Sequence, residues 1–424
     1  MRDVTRWLSG AAEPDSFPYS PVLREFHRVG KHFVAPDLLA LLDQSRIRVR
    51  PAADRPTGDA RLLCDFLDVA LDKWDGRYDY RSYLALPVLR LTGPPRQTDD
   101  AVEPTDARRA RDRLLVGLVA DALAFELAAG VDTDLLAELR PGPQVVAKRC
   151  RLGLRAVRPA LGRLGLTTTT VAEPAAAAAA AALHAMVTAL DDPTDRQALR
   201  LSMLPVYVSH DEYLFIRVLQ AYECLFVGLA AELHATIAAL AAGAARTAAE
   251  RLAYARELLS TASPLFSLLA TMQPAAFRTF RAYTEGASAI QSRSYKLMES
   301  LCRTPDRSRL DSAAYRSVPE VRDRVRAGQP SVDEAYRAAV RGGRLDAAEQ
   351  ALLVGQLHGF STAVLQWRRT HHGLATRMLG PRPGTGYTEG TPYLAATRGI
   401  AVFTAVAPES GAPSPTEPTG GCPA

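Results

Sequence analysis

Apolar residues return every third or fourth position along most of this chain, and that period commits it to α-helices. Runs such as LLCDFLDVALDKW, RDRLLVGLVADALAFELAAG and EYLFIRVLQAYECLFVGLAAELHATIAAL each carry an apolar stripe on one side of a helix. The period-two alternation of a half-buried strand is nearly absent. An all-α fold follows, a helical bundle, and 424 residues with 47% hydrophobic content can fill a sizeable core for it.

Proline and glycine cut the helical pattern at positions 56–59, 93–105, 141–143 and 380–390, and from Pro408 onward. The cuts delimit an N-terminal helical extension (1–75), a short stretch at 76–95, a helical insertion (96–200), the main body (201–405) and a tail (406–424) of disordered composition. The insertion is basic and Ala-rich. Its run from Ala175 to Ala182 forms helix readily but offers little side-chain area to bury, which predicts a surface helix or linker. The arginines between Arg108 and Arg163 read as a solvated helical pair that enlarges the domain, with a docking surface for a partner protein as the alternative.

The net charge of +5 comes mostly from arginines scattered among nearly as many carboxylates, so no nucleic-acid partner is expected. Cys64, Cys150, Cys224, Cys302 and Cys422 lie far apart in no metal-binding spacing and read as reduced thiols. The first twenty residues lack the apolar core of a signal peptide, and no run approaches the roughly 20 charge-free apolar residues of a membrane span. A cytoplasmic protein without a membrane partner is expected.

Three blocks carry candidate chemistry. In HDEYLFIRVLQAYECLF, Phe215, Leu219 and Tyr222 share one helix face. In MQPAAFRTFRAYTEGASAIQS, a turn at Gln273-Pro274 precedes a helix on which Phe277 and Arg281 are i, i+4 neighbours. The guanidinium fork of Arg281 suits a carboxylate, and the small residues around Ser288 would let a ligand approach the backbone. In WRRTHHGLATRMLGPRPGTGYTEG, Trp367 and His371 again fall at i, i+4, His372 is rotated by roughly 100°, and Gly380 stops the helix before a Gly-rich loop. Neutral imidazole is a common axial ligand of heme iron, although a helical histidine is more often structural.

Taken together, in this order and with ungapped spacing, the blocks resemble the tryptophan 2,3-dioxygenase superfamily, with its LFIxxHQAYELWF-like, MTPxDFxxFRxYLxxASGFQS-like and WRxxHxxxVxRMIGxKxGTGGSSG-like segments. YDYRSYLALPVL resembles the family's YGxYLxLxxLL segment at Tyr80 and Tyr83. The resemblance covers about half of the chain, residues 76–95 and 201–400. It implies heme b as cofactor, with His371 as the proximal iron ligand and Trp367 and Arg377 at the cofactor. It implies that Arg281 takes a substrate carboxylate, that Phe215 and Phe277 wall an aromatic ring, and that Ser288 and Tyr222 belong to the same pocket. Thr385 of the loop would meet the charged end of an amino acid. Tyr80 and Tyr83 would complete the pocket, in the family usually from a neighbouring subunit of a tetramer; a homo-oligomer, dimer or tetramer, is therefore implied.

The chain departs from the pattern on the distal side. Leu219 stands where the family has the histidine of HQAYE, leaving an indole N–H without that partner. GTGGSSG has become GTGYTEG, which brings Tyr387 and Glu389 into a segment expected to act as a lid, with Glu389 a candidate partner for an ammonium group. ASGFQS reads ASAIQS, with Ala289 and Ile290 replacing a glycine and an aromatic residue. The expectation is an oxygenase that inserts dioxygen across the indole C2–C3 bond of tryptophan or a substituted tryptophan, giving an N-formylkynurenine-type product. The alternatives are a heme monooxygenase or peroxygenase hydroxylating an aromatic amino acid in a specialised, natural-product pathway, with oxygen or hydrogen peroxide as oxidant, and a helical binding protein without catalysis.

Overall fold

The structure is a computed structural model that describes residues 1–49, 58–91, 104–129, 136–166, 175–380 and 390–406. Four helices open the chain: α1 (Arg2–Ser9), α2 (Tyr19–Val29), α3 (Pro36–Val49) and α4 (Gly58–Ala70). The single turn α5 (Tyr80–Tyr83) starts at Asp79, whose carboxylate accepts the backbone N–H of Ser82 at 2.8 Å. The next helices are α6 (Pro104–Ala128), α7 (Pro143–Arg163), α8 (Ala176–Leu190) and α9 (Pro193–Leu201), three of them with proline in the first turn, where its missing N–H costs nothing.

The main body follows with α10 (His210–Ala241), α11 (Ala245–Leu269), α12 (Pro274–Arg281), α13 (Arg293–Cys302), α14 (Arg307–Leu310), α15 (Ala313–Arg316), α16 (Pro319–Arg326), α17 (Val332–Arg341), α18 (Ala347–Leu379) and α19 (Thr391–Arg398). Reciprocal capping boxes, Ser331 with Glu334 and Asp346 with Glu349, start α17 and α18. Gly380, at φ 62°, stops α18 in a conformation that favours glycine. There is no strand among the described residues, only an isolated bridge between Glu138 and Ser209. The all-α expectation holds.

Helix α10 is the axis of the bundle. By length and composition it is apolar enough to cross a membrane. Here its apolar surface is consumed by α6, α11, α13 and α17, which pack around it. The insertion departs from the solvated pair expected of its arginines. Leu115, Leu118, Val119 and Leu123 of α6 are buried in the same core as α10. Arg149 of α7 is fully buried between Glu126 and Asp211, each at 2.6 Å, and so ties the insertion to the first turn of α10. Arg163 pairs with Asp112 and Glu257, and Arg108 with Glu232. These arginines look solvated in sequence because their partners lie on other helices. The Ala-rich run does form a surface helix, α8, with only Ala176, Ala180, Leu183 and Val187 buried.

The N-terminal extension has a core of its own, built from residues such as Trp7, Phe17, Phe26 and Phe66, and this core includes Ala85, Val88, Leu201 and Leu204. It therefore grips the segment just after α5 and the end of α9. The grip is also polar: the buried pair of Lys31 and Asp72 is 2.7 Å apart, and the backbone N–H of Lys31 donates to the Pro205 carbonyl at 2.8 Å. Gly30 lets these backbones meet, since a Cβ there would fall 2.7 Å from Tyr207 Cα.

Candidate functional site

A cavity of about 260 Å³ opens beside α10, between α5, α12, α13, α18 and α19. Helical spacing explains why the three blocks converge on it. Phe215, Leu219 and Tyr222 come from one face of α10, Phe277 and Arg281 from one face of α12, and Trp367 and His371 from one face of α18. Phe215 meets Phe277 edge-on at 5.6 Å between centroids and Phe280 at 5.2 Å, forming one aromatic wall. Trp367 stands against Tyr295, Phe226 and Phe266 at 5.3, 5.4 and 5.5 Å on another side.

His371 is boxed by two of these rings, Trp367 at 5.1 Å and Phe266 at 5.9 Å. Burial, and then the neighbouring His372, pushes its imidazole down to about 4, so it is neutral near neutral pH. Its ring nitrogens take no hydrogen bond among the described residues, whereas His372 does not line the cavity. The indole N–H of Trp367 is likewise buried without a partner. Arg281 lines the cavity at the end of α12, with Thr284 and Ser288 following it along the wall.

Tyr80 and Tyr83 line the same cavity, and they reach it from within the same chain rather than from a neighbouring subunit. Helix α5 is clamped there. Gln291 Oε1 accepts the backbone N–H of Tyr80 at 3.0 Å and that of Ser288 at 3.2 Å, while Gln220 Nε2 donates to the Leu84 carbonyl at 2.9 Å. Of the small-residue stretch, Ala287, Ser288 and Ala289 line the cavity, while Gly286 admits the chain itself: a Cβ there would fall 2.8 Å from the Tyr78 carbonyl. Burial and a carboxylate behind each ring, Glu223 for Tyr80 and Glu212 for Tyr83, push both phenols well above their usual range, so they stay protonated.

Two expectations fall elsewhere. Arg377 does not line the cavity; it is exposed and donates to the Ala270 carbonyl at the end of α11. Six helical residues carry it roughly 120° around the axis from His371, away from the cavity face. Thr385, Tyr387 and Glu389 lie outside the described residues.

The sequence reading missed a charged corner of the cavity. Lys296, Arg309 and Arg368 line it, from α13, α14 and α18, and all three surround Glu299 at 3.3, 3.0 and 3.5 Å. Burial alone would raise the Glu299 carboxyl, but the charges of Lys296, Arg309 and Arg368 hold it down to about 2. The Tyr393 hydroxyl, also at the cavity, lies 3.3 Å from both Lys296 Nζ and an Arg309 nitrogen. Lys296 follows the second block by one helical turn and so was within reach of inspection. Arg309 and Tyr393 sit in segments with no motif to flag them.

Such a site, an aromatic chamber in a helical bundle with one neutral imidazole and cations on its walls, has the shape and charge that suit a flat, acidic aromatic ligand. Residues 195–340 match the family model described as tryptophan 2,3-dioxygenase. Tryptophan 2,3-dioxygenase from Anaeromyxobacter sp. (strain K) is 30% identical over 217 residues, covering 44% of this chain and 82% of that protein. The enzymes from Nocardioides sp. (strain ATCC BAA-499 / JS614), at 30% identity, and Polaromonas sp. (strain JS666 / ATCC BAA-500), at 28%, each match over 79% of their length, covering 44% and 47% of this chain. The chain belongs to the tryptophan 2,3-dioxygenase family and is an oxidoreductase, a divergent member in which more than half of the sequence lies outside these matches.

Proposed function

We propose that this chain is a heme-dependent oxygenase that inserts dioxygen across the C2–C3 bond of L-tryptophan or a substituted tryptophan, giving an N-formylkynurenine-type product in the cytoplasm. The observation that carries the reading is that His371 and Arg281 open on one aromatic cavity. The donor set fits heme b. A neutral imidazole without an internal hydrogen bond has a lone pair to give to iron, and aromatic faces on either side suit a flat macrocycle. When bound, the heme supplies oxygen activation.

The protein's own task is to hold the substrate. The Arg281 guanidinium receives the amino-acid carboxylate through paired hydrogen bonds. Phe215 and Phe277 confine the ring, and Tyr80 and Tyr83 close the side that α5 covers. The phenols give their single protons to the carboxylates behind them, Tyr83 to Glu212 and Tyr80 to Glu223, and Leu219 offers the indole nitrogen nothing, so orientation falls to shape and to the carboxylate clamp. Thr385 and Glu389 are proposed to complete the charged end from the lid.

Turnover of the reduced, heme-loaded protein with L-tryptophan and oxygen tests the reading. Formylkynurenine absorbance is expected, and His371→Ala should lose the heme Soret band with the activity. A heme-loaded protein that makes no formylkynurenine from any indole amino acid overturns it. Leu219 favours a second reading, monooxygenation or peroxygenation of an aromatic amino acid, because an apolar distal side leaves the indole N–H unpaired. Hydroxylated product formed with hydrogen peroxide, and none with oxygen and reductant, selects it.

A further inference from the structure

Lys296, Arg309 and Arg368 crowd one corner of the cavity, yet among the described residues their ion pairs all end on one carboxylate, Glu299. Among the described residues three cations there share one carboxylate, in a chamber whose other walls are largely aromatic and aliphatic. Lys296 and Arg368 are almost wholly buried, and Arg309 Nε is buried with no hydrogen-bond partner among the described residues. Burying unmatched charge is costly unless an anion joins it. The corner is rigid as well: Arg368 donates to the Ile400 carbonyl at 2.6 Å and to the Tyr295 hydroxyl at 3.1 Å, and Tyr393 lies within reach of both Lys296 and Arg309. Its helices, α13, α14 and α18, are distinct from α12, which carries Arg281, so the cavity has cations on two separate groups of elements.

We propose that this corner is a second anion site of the cavity, one that receives the two propionate carboxylates of the porphyrin, and that it is separate from the place of the substrate's carboxylate at Arg281. The inference rests on the heme reading above. Charge matches charge: a diacid porphyrin brings two negative charges to three cations that share one described carboxylate. Lys296 and Arg309 bring the donors, and Tyr393 joins the bound face to α19. Arg368 acts chiefly by holding Glu299 and Tyr295 in place, since its hydrogen bonds are taken by protein groups.

The test is a Soret titration of the full-length apoprotein with iron protoporphyrin IX and with its dimethyl ester, which keeps the iron and the ring but loses both charges. The protein should bind the diacid about tenfold to a hundredfold more tightly than the diester, the range expected of charged hydrogen bonds. Lys296→Met and Arg309→Leu should each reduce that preference while the histidine-ligated spectrum persists, with melting curves reporting whether each variant folds. Equal binding of diacid and diester by the unaltered protein overturns the inference without recourse to any variant. So does an unchanged porphyrin preference in the variants accompanied by a fall in L-tryptophan affinity, which would assign the corner to the substrate carboxylate. If neither porphyrin produces a Soret shift, the heme reading itself fails, and this inference falls with it.

Discussion

At the scale of single residues, the site depends on ionisable groups kept in unusual states. Glu212, at the first turn of α10, accepts the backbone N–H groups of Val206 and Tyr207 at 2.7 and 3.0 Å and the Tyr83 hydroxyl at 3.3 Å. Burial dominates these contacts and pushes its carboxyl up to about 8 from an ordinary value of 4.5. The folded chain therefore holds this proton more tightly than the unfolded chain does. Its contribution to stability is full below pH 4.5 and is lost as pH climbs through about 8. Chemical denaturation between these limits should show a loss of up to ~1.4 kcal/mol per pH unit from this one group, and Glu212→Gln should flatten the slope. An identical slope in the variant would show that Glu212 is ionised throughout. The phenols differ in kind: raising an already high phenol pKa leaves Tyr80 and Tyr83 neutral across this range, so the hydrogen-bonding of the pocket wall should not change with it.

At the scale of elements, the shortest helix matters as much as the longest. Helix α5 is a single turn and has no stability of its own, because one turn fixes more backbone angles than it gains bonds. Asp79 caps it, Gln291 and Gln220 hold its two ends, and Gly286 lets the neighbouring wall approach. Removing the cap in Asp79→Ala should cost about 1 kcal/mol of stability. Substrate affinity, measured by titration, should fall several-fold because Tyr80 and Tyr83 lose their fixed positions, and Asp79→Asn should restore it. Unchanged affinity in Asp79→Ala would mean that the two tyrosines do not contribute to binding.

The sequence was informative about elements whose meaning is local. The faces of α10, α12 and α18 follow from three- and four-residue spacing, which puts Phe215, Phe277, Trp367 and His371 on shared faces, and the family resemblance singles them out before any coordinates. Arg377 lies off the cavity for the same geometric reason that His371 faces it. What stayed hidden was convergence between distant segments. Nothing near Arg309 or Tyr393 says that they meet Lys296, and the inward arginines of α6 and α7 resemble a solvated face until their partners are known.

At the scale of the whole molecule, the site is complete in one chain as far as its described walls go. The N-terminal extension packs on the segment that follows α5, and thereby fixes in cis what the family resemblance assigned to a neighbouring subunit. Ligand affinity per chain should thus be independent of protein concentration, and dilution monitored by light scattering should leave the binding curve unmoved through any dissociation of an oligomer. Binding that weakens in step with dissociation would show that a second chain contributes to the pocket.

Arg149 carries a consequence for anyone who would shorten this protein. The 96–200 stretch is absent from the motif-bearing part of the chain and invites deletion. Yet excising it would strip Glu126 and Arg149 from the interior and leave Asp211 at the head of the central helix without its cation, holding only the backbone N–H of Gln273 at 2.7 Å. Losing one partner of such a buried group costs about 3–5 kcal/mol, a large share of a typical domain's stability. A trimmed version would therefore need Asp211 rewritten as an apolar residue and the exposed flank of α10 resurfaced before it could stand alone; the insertion is a keystone of the bundle rather than an ornament on it.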